Sequence, residues 1–306
     1  MICNIFRPGI EQSTFLSPFA RGVMKEKDSV VLISGCSTGI GRALAQEFAI
    51  RNWQVFATAR KPETLMEFNS PNVHSTALDV TDERSIRQCV DEVISKAGRI
   101  DMLVNNAGLL LIGPLAELKA EELRLQFETN VIGWAALTRA VVPFMIKQKS
   151  GKIVNISSIS GVLPTPFAGA YCSTKAAVTA FSDSLRMELA PFGIQVITVQ
   201  PGGIKTNLSD NADHDLERFK NTPYGPIYDF IVARAHASQQ KATPAEEFAR
   251  KLADKLEKEN APNFIRLGKD STLLPLVAKL PRGFVDALLS RKFGLNVLAD
   301  LQKRKT

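Results

Sequence analysis

Short apolar runs alternate with amphipathic stretches through most of the chain. Val30-Val31-Leu32-Ile33 is apolar at every position and ends at Ser34-Gly35. A strand covered on both faces has that pattern, whereas a strand with one wet face alternates. Residues 42–51 follow, with Ala43, Leu44, Phe48 and Ala49 on one helical face. The same pairing of run and amphipathic stretch recurs. Strands are predicted at 53–58, 73–78, 100–104, 152–156 and 194–199, and helices at 83–97, 120–147 and 170–190. Strands separated by helices of this length make βαβ units with right-handed crossovers. The expected fold is therefore α/β, a single-domain doubly wound parallel sheet with helices on both faces. Ligands of such sheets bind at the carboxyl ends of the strands.

After Thr206 the pattern changes. Residues 207–242 are polar with interspersed Phe219, Tyr224, Tyr228 and Phe230, which predicts an irregular lid or substrate loop. Thr243-Pro244-Ala245-Glu246 predicts a helix start, with Thr243 as cap and Glu246 closing a capping box. Phe248, Leu252, Ala253 and Leu256 form that helix's inner face. Phe264 to Leu267 fits an edge strand. Within a C-terminal amphipathic segment (271–295), residues 281–293 predict a helix stopped by Gly294, with Phe284, Val285, Leu288, Leu289 and Phe293 facing one way. A basic tail is expected at 296–306. Residues 1–28 read as a poorly ordered extension. They hold no apolar h-region, so no secretory signal is expected. The catalytic domain is expected to span 29–295.

Composition narrows the class. The 306 residues are 45% hydrophobic and 23% charged, ordinary for a soluble domain that needs no disulfide or metal to hold its core. Residues 261–306 carry nine basic and three acidic side chains, so +6 of the net +7 sits there. That is a basic end rather than a nucleic-acid-binding face. Cys3, Cys36, Cys89 and Cys172 form no Cys-x-x-Cys pair, which fits free thiols and a cytoplasmic location. His74, His214 and His236 lack ligand spacing, so no metal is expected. The apolar stretch 131–146 carries Arg139 and reads as a buried helix, not a membrane span.

The chemistry sits at the strand ends. Gly35-Cys36-Ser37-Thr38-Gly39-Ile40-Gly41 follows the first strand and opens the first helix. Glycines there let the backbone approach a pyrophosphate, and the helix N-terminus favours its charge. At the end of the second strand stand Ala57-Thr58-Ala59-Arg60-Lys61. No carboxylate is present for a ribose 2′-hydroxyl, and Arg60 suits a 2′-phosphate, so NADP(H) is favoured. Tyr171 and Lys175 are four residues apart, on one face of a helix. A nearby ammonium lowers the pKa of a phenol, which lets it exchange a proton. Ser158, thirteen residues upstream, ends another strand and can hold a substrate oxygen. Its neighbour Ser157 is less well spaced for that role.

Together and in this order, these motifs resemble the short-chain dehydrogenase/reductase family, in its NADP-preferring part. The resemblance covers about 29–206 by motif and extends more loosely to 294. It implies a Rossmann-like fold. Gly35, Gly39 and Gly41 correspond to the cofactor glycines, with Ser37, Thr38 and Ile40 in the same loop. Asp79 and Val80 match the adenine contact, and Asn105, Asn106, Ala107 and Gly108 the segment beside the cofactor. Asn130, Ser158, Tyr171 and Lys175 match the catalytic tetrad. Pro201, Gly202 and Thr206, with Ile204 between them, match the segment holding the nicotinamide amide. The resemblance implies that Tyr171 is the proton donor for reduction and the base for oxidation. Lys175 would lower its pKa and bind the nicotinamide ribose. Ser158 would polarise the carbonyl, and Asn130 would anchor a water in the proton relay. Cys36 and Cys172 are expected as small fitting residues, with thiol-sensitive activity the sharper alternative.

The C-terminal third resembles the 17β-hydroxysteroid-dehydrogenase-like branch, which includes steroid and retinol enzymes and 1-acyl-dihydroxyacetone-phosphate reductases. The expected substrate is a lipophilic carbonyl or secondary alcohol. For an acyl-dihydroxyacetone phosphate, Lys205, Arg218 or Lys220 could meet the phosphate. The basic C-terminal helix has three open roles: peripheral contact with a membrane, cover for the substrate cleft, or a subunit contact. A dimer or tetramer through the helices at 120–147 and 170–190 is expected from the resemblance, and no nucleic acid. The other function class is a catalytically silent NADP(H)-binding sensor, which would have no need of the tetrad.

Overall fold

A computed structural model describes residues 29–65, 68, 70–208 and 215–304. The predicted extension at 1–28, Cys3, His214, part of the substrate loop and the last two residues lie outside them.

Seven strands form one parallel sheet in the order β3-β2-β1-β4-β5-β6-β7. They are β1 (Val30–Ile33), β2 (Gln54–Ala59), β3 (Val73–Ala77), β4 (Met102–Asn105), β5 (Gly151–Ile156), β6 (Ile194–Pro201) and β7 (Phe264–Leu267). All six pairings are parallel. Both faces are covered, which is why β1 is apolar throughout. Val31 and Ile33 join a core with Leu44 and Phe48 of α1 (Gly39–Ile50) and Phe248 and Leu252 of α7 (Ala245–Leu256). Val30 and Leu32 point the other way, to Val90 of α2 (Glu83–Ala97) and Leu137 and Val141 of α4 (Gly133–Gln148). Strand order reverses between β1 and β4, so the chain leaves these two neighbours in opposite directions and opens a crevice at their carboxyl ends.

Several expectations need correction. The helix predicted at 120–147 is two helices, α3 (Ala120–Phe127) and α4, joined by a wide π turn over Glu128–Ile132. By length and apolarity the whole stretch could cross a membrane, but its inner face lies in the core of the sheet. No capping box opens α7: Pro244 is the N-cap and no side chain caps it. Thr243 is drawn instead into backbone bridging. Its N–H donates to the Gly203 carbonyl at 3.0 Å and its hydroxyl accepts from Lys269 N at 3.1 Å.

The predicted irregular loop is also partly regular. It contains α6 (Tyr228–His236) and short 3-10 turns. Leu216, Phe219, Ile227 and Ile231 bury themselves there with Leu110, Phe167 and Phe293, giving the lid its own small core. Beyond it lie α8 (Leu273–Val277), α9 (Arg282–Lys292) and, after Gly294, α10 (Leu295–Lys303), where a tail is expected. Gly294 sits at φ +74 against the Phe230 ring, a position closed to any Cβ. The apolar residues of α9 and its C-cap do not share one environment: Val285 and the cap Phe293 are buried, whereas Phe284 and Leu288 are exposed.

Candidate active site

A cavity of about 660 Å³ opens along the carboxyl ends of β1, β2, β4, β5 and β6. At one end the turn after β1 brings Gly35 against Ala107, and Gly41 against the Gly35 carbonyl. A Cβ on Gly41 would lie 2.4 Å from Asn106 Nδ2 and closer still to that carbonyl oxygen. Asn106 closes this packing by donating to the carbonyls of Ser34 (2.9 Å) and Gly35 (3.0 Å). Thr38 is the N-cap of α1, in extended backbone, and its side chain makes no capping bond. The first turn of α1 carries no acidic residue. Its amides and dipole thus favour an anion held against the backbone, and the glycines leave room for it. The pocket fits the pyrophosphate of a dinucleotide. Arg60 stands exposed at the end of β2 and lines the same cavity, beside Asp79 and Val80.

At the other end are the reactive groups. Ser158 follows β5 and caps a short turn, its hydroxyl accepting from Ser160 N at 3.1 Å. Tyr171 and Lys175 project from the start of α5 (Gly169–Leu189) into the same cavity. The Lys175 ammonium donates to the Ile156 carbonyl at 2.7 Å. Its nitrogen lies 5.6 Å from the centre of the Tyr171 ring. Burial pulls the Lys175 pKa down to about 8. Burial also pushes the Tyr171 phenol up to about 12, opposed only in part by its hydrogen bond with Ser158 and the charge of Arg234. Desolvation outweighs the Ser158 hydrogen bond and the Arg234 charge, so the phenol lies above its ordinary range. A phenol so placed is protonated at neutral pH, which suits a proton donor.

Residues 29–217 match the family model described as short chain dehydrogenase. The chain belongs to the short-chain dehydrogenase family. A 3-ketodihydrosphingosine reductase of Bacteroides thetaiotaomicron is 41% identical over 199 residues, 65% of this chain and 72% of that protein. An NADPH-dependent 3-dehydrocapnine reductase of Ornithobacterium rhinotracheale is 34% identical over 229 residues, 72% of this chain and 81% of its own length. Among solved structures, a short-chain dehydrogenase from Streptomyces avermitilis superposes with a TM-score of 0.72 at 33% identity, covering 90% of this chain and 99% of that one.

This short-chain dehydrogenase brings nearly all its sequence-predicted site residues to one cavity. Gly35, Ser37, Thr38, Gly39, Ile40, Arg60, Asp79, Val80, Asn106, Ala107 and Gly108 line it, as do Ser158, Tyr171, Lys175, Pro201, Gly202, Ile204 and Thr206. Two do not. Gly41 lies just inside α1 and acts by letting the loop close. Asn130, in the π turn, stands behind the cavity wall: its amide accepts from Leu109 N at 2.7 Å and donates to Leu109 O at 2.8 Å and to Thr174 Oγ1 at 3.1 Å. The added width of that turn is what lets one side chain clamp the loop after β4. Asn105, next to that loop, belongs to a buried ladder, donating to Thr138 and Asn155, both at 2.9 Å.

Other candidates fall away. Ser157 is turned inward and donates to the Lys175 carbonyl at 2.8 Å. Lys205, Arg218 and Lys220 do not line the cavity. Arg218 pairs with Glu122 at 2.7 Å and Asp215 at 3.2 Å, and Lys220 with Glu217 at 2.6 Å. Buried in the cavity wall instead is Arg234 of α6, which the sequence reading missed along with Thr165. Its signal was a cation on an apolar stripe, Ile227, Ile231, Arg234 and Ala235.

Proposed function

We propose that this short-chain dehydrogenase is an NADP(H)-dependent enzyme acting on CH–OH donors, which transfers hydride between nicotinamide and the carbonyl of a lipophilic substrate. The observation that carries this reading is the convergence of Ser158, Tyr171 and Lys175 at one end of a cavity whose other end presents Arg60 and the uncapped start of α1. The NADPH dependence of the Ornithobacterium relative supports the cofactor. So does a cation, rather than a carboxylate, at the end of β2.

The backbone of 35–41 would hold the pyrophosphate and Arg60 the 2′-phosphate. Asp79 and Val80 would meet the adenine, Lys175 the nicotinamide ribose, and the segment 201–206 the amide. When bound, the dinucleotide supplies the hydride to the carbonyl carbon or takes it back. The protein's own part is the oxygen. Ser158 donates a hydrogen bond to the carbonyl oxygen and fixes its place. Tyr171 gives that oxygen its proton, and in the reverse direction removes it. Lys175, charged at neutral pH and pinned by Ile156, stabilises the phenolate left behind. Asn130 acts at one remove, holding the 106–112 loop that faces Lys175.

Leu110, Leu163, Leu208, Leu289 and Phe293 supply apolar walls, which favour a lipid-like, steroid-like or retinoid-like substrate. The narrower reading is a 1-acyl-dihydroxyacetone-phosphate reductase. It needs a cavity cation for its phosphate; Lys205, Arg218 and Lys220 do not line the cavity, whereas Arg234, Lys269 and Lys292 do. A silent NADP(H)-binding sensor is less well supported, because it has no use for the assembled tetrad. The test is NADPH consumption against acyl-dihydroxyacetone phosphate, a steroid ketone, retinal and a small diketone, with NADH as control. Tyr171→Phe should lower turnover by about 10²–10⁴ and leave NADPH binding intact. Equal turnover of small polar and long apolar ketones would overturn the lipophilic assignment.

Two contacts complete the proposal. Phe181 and Met187 of α5 are exposed, as is Ile132 just before α4, and the Phe181 ring lies 6.0 Å from the indole of Trp134, whose N–H has no acceptor among the described residues. That face favours a homodimer or tetramer. Leu273, Leu276, Leu280, Phe284 and Leu288 are exposed on α8, α9 and the link between them, interleaved with Lys279, Arg282 and Arg291. That surface favours peripheral contact with an anionic membrane.

A further inference from the structure

After Lys175, Arg234 is the most deeply buried charge lining the cavity. It lies on α6 between Ile231 and Ala235, and only 8% of it is exposed. A guanidinium this buried is normally paired with an acid. Two half-buried arginines among the described residues obey that rule: Arg51 meets Glu47, Asp254 and Glu257, and Arg218 meets Glu122 and Asp215. Arg234 does not. Among the described residues no carboxylate lies within ion-pair distance of it. Its one side-chain hydrogen bond runs from Nε to the neutral hydroxyl of Thr165, at 2.9 Å. A guanidinium has five N–H donors in a rigid fork, so four are left on the two terminal nitrogens. Arg234 and Thr165 both line the cavity that holds Tyr171. The charge is close enough to Tyr171 to bias its phenol, and burial itself holds the guanidinium below its ordinary pKa.

The cofactor's anionic groups are accounted for at the far end, by the start of α1 and by Arg60. An anion beside Tyr171 belongs to the substrate. We propose that Arg234 binds an anionic head group of the substrate, so that the preferred ketone is an amphiphile with a carboxylate, sulfonate or phosphate near its carbonyl and an apolar tail. The fork, steadied by Thr165, takes two oxygens of the head, while Leu110, Leu163, Leu289 and Phe293 take the tail. Arg234 is then a specificity-determining residue. This assignment rests on the reductase reading for the carbonyl but not for the anion, and the two can fail separately.

The test uses full-length protein loaded with NADPH. Calorimetry measures binding of octanoate, octyl sulfonate, octyl phosphate and octanol to the wild type, Arg234→Met and Arg234→Lys. The wild type should bind at least one of the anions about 30-fold tighter than octanol, the range of charge-assisted hydrogen bonds. Arg234→Met should bring anion and alcohol within about threefold, with octanol and NADPH affinities unchanged. Arg234→Lys, which keeps the charge and loses the fork, should lose several-fold toward the anions only, and covers the case in which the methionine variant does not fold. The tightest anion identifies the head group. In turnover, a long-chain β-keto acid should suffer a KM increase of about 30-fold in Arg234→Met, while its methyl ester is unaffected. Equal binding of anions and octanol by the wild type would overturn the proposal, and so would a parallel loss of both in the variants. Anion binding through Arg234 without reduction of any ketone would support the head-group site and sink the reductase reading alone.

Discussion

Lys175 places its ammonium 2.7 Å from the Ile156 carbonyl and 5.6 Å from the centre of the Tyr171 ring. The carbonyl is the one hydrogen-bond partner found for this buried cation among the described residues, which explains the direction of its pKa. Burial lowers Lys175 from 10.5 to about 8. A depressed lysine binds fewer protons folded than unfolded between those two values, so stability rises with pH across the window. Below pH 8 the full cost of the buried charge is present, about 3 kcal/mol at roughly 1.4 kcal/mol per pKa unit. Relative to Lys175→Met, the wild type should therefore gain about that much as pH rises from 8 to 10.5, measured by urea unfolding without cofactor. Tyr171, raised to about 12, contributes the opposite trend only above pH 10, so most of the window is free of it. A difference that stays flat with pH would show that Lys175 is not desolvated as described. The same variant should lose turnover, because the cost in stability is what places a cation beside the phenol.

Arg60 offers a second measurement. It is exposed and lines the cavity, so its bonds to a 2′-phosphate would be partly screened. Arg60→Ala should raise the KM for NADPH about tenfold, the low end for charge-assisted hydrogen bonds, and leave the KM for NADH within about twofold. Equal losses with both cofactors would assign Arg60 to the fold of the loop instead.

Much of this site was legible because its chemistry is written in local spacing. Four residues separate Tyr171 from Lys175, and one helical turn makes them neighbours whatever surrounds them. The glycines of 35–41 declare a turn between a strand and a helix in the same way. Arg234 was hidden for the opposite reason. Its role depends on α6, a nine-residue helix inside a polar stretch, and on tertiary burial that no single-residue propensity reports. The π turn at 128–132 was hidden too, since one extra residue in a turn hardly disturbs an apolar stripe. Only the polar Asn130 inside that stripe hinted at it. Thr243 misled because its hydroxyl and amide serve two backbone partners, Lys269 and Gly203, which outcompete a helix cap. Phe284 and Leu288 fit the apolar periodicity of α9, yet nothing in the described chain covers them.

Cys36 tests the thiol alternative. It sits in the cofactor loop, fully buried, with its thiol donating to the Ile33 carbonyl at 3.2 Å. Burial pushes its pKa up to about 12. At pH 7.5 the reactive thiolate is then on the order of 10⁻⁴ to 10⁻⁵ of the population. Cys89 and Cys172 are buried as well. In a Cys3→Ser background, iodoacetamide at pH 7.5 should leave turnover and NADPH affinity unchanged over an hour. Rapid loss of both, prevented by NADPH, would restore a thiol-sensitive site.

The exposed face of α8 and α9 carries the last prediction. Leu276 is 59% exposed and Phe284 60%, with Leu273, Leu280 and Leu288 beside them. Such residues are common singly on a surface, but five along one short segment amount to an apolar patch. Basic residues near an anionic surface contribute about 1 kcal/mol each, and salt screens them. Sedimentation with vesicles containing phosphatidylserine should therefore carry the protein down, and vesicles of phosphatidylcholine alone should carry down several-fold less. Raising salt to half molar should weaken the first binding strongly. The double substitution Leu276→Asp with Phe284→Asp should abolish it while leaving NADPH affinity intact, since neither residue lines the cofactor cavity. Equal binding to both vesicle types would rule out the basic side chains as the attracting element. Full binding by the double variant would rule out the patch. In that second case α9 would be left with its other roles, cover for the substrate cleft through Leu289 and the adjoining Phe293, or a subunit contact.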